Sequence, residues 1–142
     1  LRTALPPEGE VRLDGELKIG ARGYRWKRHE VEDPRGIVDL GEALGGGDGV
    51  GAYLYAEVAV EEDTDGVLKI GSDDQVACFL NGERVHEFDG ERGLTVDQDS
   101  VPVKLKQGRN RLLLKLVNRS GGWQGCLRVT SKDGKPLGAV RH

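Results

Sequence analysis

Short segments of alternating apolar and polar residues follow one another along most of the chain. Between Ala52 and Val60, Leu54, Ala56, Val58 and Val60 fall on one face, and Tyr53, Tyr55, Glu57 and Ala59 on the other. A period of two predicts a half-buried β-strand. Similar strands are predicted at Val11–Leu13, Leu17–Ile19, Tyr24–Val31, Ile37–Leu40, Val67–Ile70 and Val76–Leu80. Further strands are expected at Glu83–His86, around Val101, Val103 and Leu105, from Leu112 to Leu116, and around Leu127 and Val129.

The punctuation between these runs is turn chemistry. Asp14-Gly15, Asp33-Pro34-Arg35-Gly36, Thr64-Asp65-Gly66 and the glycine-rich run Gly45–Gly49 read as turns or loops. Asn81-Gly82 between two alternating segments is a strong hairpin signal, because both residues tolerate the positive φ of a type I′ turn. The tally is about nine or ten strands with no amphipathic helix, which predicts an all-β, antiparallel two-sheet sandwich. Its expected core is Leu54, Val58, Leu68, Ile70, Val76, Leu80, Leu112, Leu114, Leu116 and Leu127.

Composition agrees. The chain has 142 residues, enough for one domain with a core that needs no covalent staples. Residues 1–10, with Pro6-Pro7, read as a linker or irregular lead-in to a single domain over residues 1–142, cut from a longer parent protein. Twenty-two glycines, most of them spread singly between short apolar runs, suit many tight turns. The net charge of -3, without a basic stripe, argues against a nucleic-acid partner. No apolar run is long enough to span a bilayer as a helix.

Catalytic signatures are missing from the sequence. The histidines are His29, His86 and His142, and no nucleophile elbow, zinc-protease motif or phosphate loop accompanies them. Cys78 alternates with Val76 and Leu80, the setting of an inert buried thiol, while Cys126 falls opposite Leu127. Two free thiols are therefore expected. Asn118-Arg119-Ser120 fits a glycosylation sequon by pattern. The expectation is a non-enzymatic domain.

Three segments together carry a family resemblance. They are Gly71-Ser72-Asp73-Asp74-Gln75-Val76 leading to Phe79-Leu80-Asn81-Gly82-Glu83; Val103 to Asn110 leading into Leu112-Leu113-Leu114-Lys115; and Gly121-Gly122-Trp123 leading to Cys126-Leu127-Arg128-Val129. This pattern, over roughly residues 24–130, resembles the galactose-binding-like jelly-roll domains of bacterial secreted proteins and glycan-degrading enzymes. The Ser-Asp-Asp element is similar to that of protective-antigen-type lectin domains, where adjacent aspartates can hold calcium beside a sugar. The resemblance implies a carbohydrate-binding accessory module of a larger extracellular or periplasmic protein. The alternative is a structural or protein-interaction sandwich that spaces other domains of its parent.

Sugars offer apolar C–H faces and many hydroxyls, so their sites combine a flat aromatic with polar groups. Trp123, between glycines, is the candidate stacking residue; the competing expectation is an indole folded back as a plug over the core. Tyr53 and Tyr55 form a second candidate platform. Polar partners would be Asp73, Asp74, Arg92, Asn118, Arg119 and Gln124. No cofactor is required by this reading. The acidic clusters Asp63/Asp65, Asp73/Asp74 and Asp97/Asp99 offer sites for a structural calcium ion. Asp97 and Asp99 are favoured because they point the same way in an extended chain; the alternative is that these carboxylates simply cap turns.

Overall fold

The computed structural model describes residues 16–19, 22–25, 36–45, 49–135 and 140–141. In chain order the elements are β1 (Glu16–Ile19), β2 (Arg22–Arg25), β3 (Ile37–Asp39), α1 (Leu40–Leu44), β4 (Gly51–Val60), β5 (Thr64–Asp73) and β6 (Gln75–Leu80). They continue with β7 (Glu83–Phe88), β8 (Asp99–Leu105), β9 (Gly108–Val117), β10 (Gln124–Ser131) and β11 (Val140–Arg141). The strands form an antiparallel sheet of order β3-β10-β5-β8, a second of order β11-β4-β9-β6-β7, and the separate hairpin β1-β2. The expected two-sheet sandwich is what the chain adopts.

Strand alternation places the core between the sheets. Val58, Leu68, Ile70, Val76, Leu112, Leu114 and Leu116 are each at most 2% exposed and pack in one cluster with Leu105, Val129 and Leu40. Leu54 and Leu127 lie only partly buried against it. Among the described residues β11 pairs with Val58 and Glu57, and β3 with residues 124–126, so neither is paired beside Leu54 or Leu127. Burial of one such leucine contributes about 1.5–3 kcal/mol.

Two local expectations are corrected. Leu40 leaves the strand at Ile37–Asp39 and opens the five-residue helix α1, because the Asp39 carboxylate accepts the Glu42 N–H at 3.0 Å and caps it. Thr64-Asp65-Gly66 is not a turn but the start of β5, paired with Leu105, Lys104 and Val103. Of the segment Tyr24–Val31, only Tyr24 and Arg25 fall in a described strand. Trp26 and His29, like Val11 and Leu13, lie outside the described residues.

The Asn81-Gly82 hairpin forms as expected, with φ of 50° and 86° joining β6 to β7. At the other end of the sandwich, Gly71 and Gly125 permit close approach. A Cβ at Gly71 would stand 2.6 Å from the Thr95 carbonyl oxygen and 2.8 Å from Cys126 Sγ, and one at Gly125 would stand 2.5 Å from Leu116 Cδ1. The Gly71 contact draws the segment between β7 and β8 down onto the outer face of the four-stranded sheet. Cys78 and Cys126 are buried and not joined in a disulfide, and burial pushes the Cys78 pKa up to about 12.

Candidate functional site

The candidate site lies where β5 and β6, β7 and β8, and β9 and β10 are joined. Asp74, between β5 and β6, is 4% exposed. Its carboxylate accepts the backbone N–H of Arg92 at 3.2 Å, of Arg119 at 2.8 Å and of Ser120 at 3.2 Å, so one side chain fastens two loops. Burial raises its pKa, but these N–H groups, followed by a hydrogen bond from Asp73, outweigh burial and hold it below the usual carboxylate range. The peptide between Asp73 and Asp74 is cis.

Asp73 behaves oppositely. Burial first, then its hydrogen bond to Asp74 and that neighbour's charge, push it up to about 6. A Cβ at Gly122 would come within 2.9 Å of Asp73 Oδ2, so a glycine there admits the carboxylate.

Sheet register sets Asp73 in a row. Gln124 on β10 pairs with Asp73 on β5 and with Asp39 on β3, and paired residues share a face. That face is the outer one, because Gly125 next door meets Leu116 of the core. Asp39, Gln124 and Asp73 thus cross the sheet end as acceptor, amide and acceptor, and all three are part-exposed. The Gln124 amide donates to Asp39 Oδ2 at 3.4 Å. Two strand spacings make the row roughly 10 Å long. Asp39 was missed in the sequence. Its signal was the Asp39-x-x-Glu42 capping pattern, too short for helical periodicity to reveal.

Other expected site residues have different places. Trp123 is 4% exposed and packed in the core cluster, so the plug arrangement holds and its ring is withdrawn from any ligand. Its carbonyl accepts the N–H groups of Leu40 and Gly41, at 2.8 and 3.3 Å, and its Nε1 is buried without a hydrogen-bond partner. Tyr53 and Tyr55 lie half-buried on the outer face of the other sheet, with Ala77, Phe79 and Leu113. They are not part of the loop-end group.

Arg92 is a strut. It stacks on Phe88 with Cζ 3.9 Å from the ring centroid, donates to Ser72 Oγ at 2.9 Å, and bonds Asp99 through both terminal nitrogens. Asn118 is fully buried, its Nδ2 donating to the Gly121 carbonyl at 3.4 Å, while its main chain bonds Val50 and Gly49. The sequon asparagine is thus inaccessible in the folded chain. Arg119 has its side chain half exposed, with Nη2 3.9 Å from Asp89 Oδ1.

Asp97 and Asp99, the pair expected to hold calcium, are each engaged by other side chains. Asp97 sits in a turn at φ 59°, so the chain is not extended there. Both its oxygens accept from Arg128, at 3.3 and 2.5 Å, whereas those of Asp99 accept from Arg92, with His86 Nε2 3.0 Å away. Each carboxylate is thus neutralised by a different cation. The loop end fits calcium no better. Asp74, the Trp123 carbonyl and the Gly121 carbonyl already accept protein N–H groups, so Asp73 is left far short of the six to eight oxygens the ion takes. Among the described residues no group of three His, Cys, Asp or Glu could hold a metal, and no helix is long and apolar enough to cross a membrane.

No protein-family model matches the chain, and no curated protein does. Among solved structures, the PA14 domain of the MpAFP antifreeze protein superposes with a TM-score of 0.51 at 15% identity, over 62% of this chain and 47% of that one. The PA14 sugar-binding domain from an RTX adhesin superposes with a TM-score of 0.46 at 15% identity, over 63% of this chain and 51% of that one. The aligned region spans about half the length of each of the two solved chains. The fold of this chain is therefore an antiparallel two-sheet β-sandwich similar to that of the first of these PA14 domains.

Proposed function

We propose that the domain is a non-catalytic carbohydrate-binding module that holds a larger extracellular protein to a glycan. The observation that carries this reading is the row Asp39, Gln124 and Asp73 at the sheet end. Sugar hydroxyls both donate and accept. Carboxylates accept from them, and an amide can do either, so the alternation suits a face lined with hydroxyls. Asp74 takes no part in contact under this reading. It is a positioning residue that fixes the loops of Arg92 and Arg119 around the row. Arg119 supplies an exposed donor at the rim.

Binding here needs no cofactor, and the reading includes no chemical step. A test is affinity electrophoresis of the chain in gels containing neutral polysaccharides, beside the variants Asp73→Ala and Gln124→Ala. Retardation lost in both variants supports the site.

The spacer reading draws on a separate observation. Among the described residues the exposed large hydrophobic side chains are Leu44 and Val50, and no exposed aromatic stands at the loop end. A chain that migrates alike in every glycan gel would favour a structural module.

A further inference from the structure

The end of the sandwich away from the row carries a different chemistry. Asn81 closes the β6–β7 turn, and its side-chain amide is held on both atoms. Its Oδ1 accepts the Arg111 N–H at 2.8 Å, while the Asn81 backbone N–H donates to the Arg111 carbonyl at 2.9 Å. The side chain thus extends the β6–β9 ladder one step beyond Leu80 and Leu112. Its Nδ2 donates to Asn110 Oδ1 at 3.2 Å. Asn110 is fully buried, and the same Oδ1 also accepts the Lys106 N–H at 2.9 Å. Asn110 Nδ2 is placed to donate to the carbonyls of Lys106, Gly108 and Val58. The two asparagines therefore clasp the β6–β7 and β8–β9 turns together.

The residue after Asn81 is an exposed glycine, and no heavy atom beyond its chain neighbours lies within 4 Å of where its Cβ would stand. We propose that Asn81-Gly82 is a site of spontaneous deamidation, gated by the clasp to Asn110 and Arg111. In the reaction the Gly82 amide loses its proton to solvent base and its nitrogen attacks Asn81 Cγ. A C–N bond forms, the Cγ–Nδ2 bond breaks, and ammonia leaves. Water then opens the resulting imide at either carbonyl to give aspartate or isoaspartate, without oxidation or reduction.

The folded turn opposes the first step. Attack requires the side-chain amide to swing toward Gly82, which breaks the bonds to Asn110 and Arg111. The product cannot rebuild the clasp. An oxygen replaces Nδ2 and faces Asn110 Oδ1, acceptor against acceptor. Isoaspartate also lengthens the main chain by a methylene in a two-residue turn whose φ angles are set at 50° and 86°. The clasp is thus a gate that, once passed, stays open.

The test follows Asn81 by peptide mapping of the intact chain, incubated at mildly alkaline pH either folded or in denaturant. Conversion should be about tenfold slower in the folded chain, the factor given by an opening cost of about 1.4 kcal/mol for two modest hydrogen bonds. Equal rates would overturn the gate. Separately, the Asn81→Asp variant should melt below the parent chain. An unchanged Tm would overturn the claim that the product unclasps the turns.

Discussion

Arg92 holds Asp99 through both carboxylate oxygens, its Nη1 at 3.0 Å and its Nη2 at 2.6 Å. The pair fastens the segment after β7, at the edge of one sheet, to β8, at the edge of the other. His86 on β7 joins it at 3.0 Å from Asp99. Burial pushes the Asp99 pKa up, but the Arg92 and His86 hydrogen bonds outweigh this and hold it down. Arg92→Ala leaves a part-buried carboxylate without its main partner and removes the stack on Phe88. The expected cost is about 1–3 kcal/mol in denaturant unfolding. Arg92→Lys should restore little, because a point charge cannot reproduce the planar fork.

The pH dependence of stability divides between the two adjacent aspartates. Asp73 has a folded pKa raised from 3.8 to about 6, so its contribution is fully present below the unfolded value and is lost as pH rises through about 6. Asp74 has a lowered folded pKa; its contribution is present above the unfolded value and lost as pH falls through the folded one. Thermal melts of Asp73→Asn should therefore lack the decline of the parent between about pH 4 and pH 7, and should lie above the parent at neutral pH. Asp74→Asn should lie below the parent at neutral pH.

Trp123→Ala should remove a core plug rather than a ligand contact. The expected loss is about 3–5 kcal/mol of stability, read by thermal or denaturant melting. Trp123→Phe keeps most of the apolar contact and removes an indole N–H that has no partner, so it should cost much less. Equal damage from both variants would point to a role for that N–H.

Calcium should not stabilise the chain. A ligand bound only by the native state raises Tm with its concentration, but Asp97, Asp99 and Asp74 are taken up by arginines and backbone N–H groups, which leaves Asp73 with too few oxygen partners for the ion. Calcium titration and chelation should both leave Tm and gel retardation unmoved. A concentration-dependent rise in Tm would contradict this donor assignment.

The sheets were legible because alternation is a direct imprint of a strand buried on one face. Leu112, Leu114 and Leu116 read as core and are core, and Asn81-Gly82 read as a hairpin and is one. The loop end was legible only in part. Asp73, Asp74, Arg92, Asn118 and Gln124 were expected together, and register and loop bonds do place them together. Their division into struts and accessible groups was hidden, because whether a loop arginine is spent depends on Asp99 and Phe88, which only the folded chain brings to it. Trp123 was ambiguous for a related reason. Glycines on its N-terminal side suggest an exposed loop, but they equally let the chain turn so that the indole faces inward.

The central claim rests on the row of Asp39, Gln124 and Asp73, and a glycan screen of the isolated chain tests it most directly. The same screen is run on Gln124→Ala, whose side chain lies outside the core. The account predicts retention of the parent chain on at least one neutral glycan, with retention lost in Gln124→Ala while its melting curve stays close to that of the parent. Retention that survives in Gln124→Ala, or a parent chain retained on no glycan at all, would contradict it.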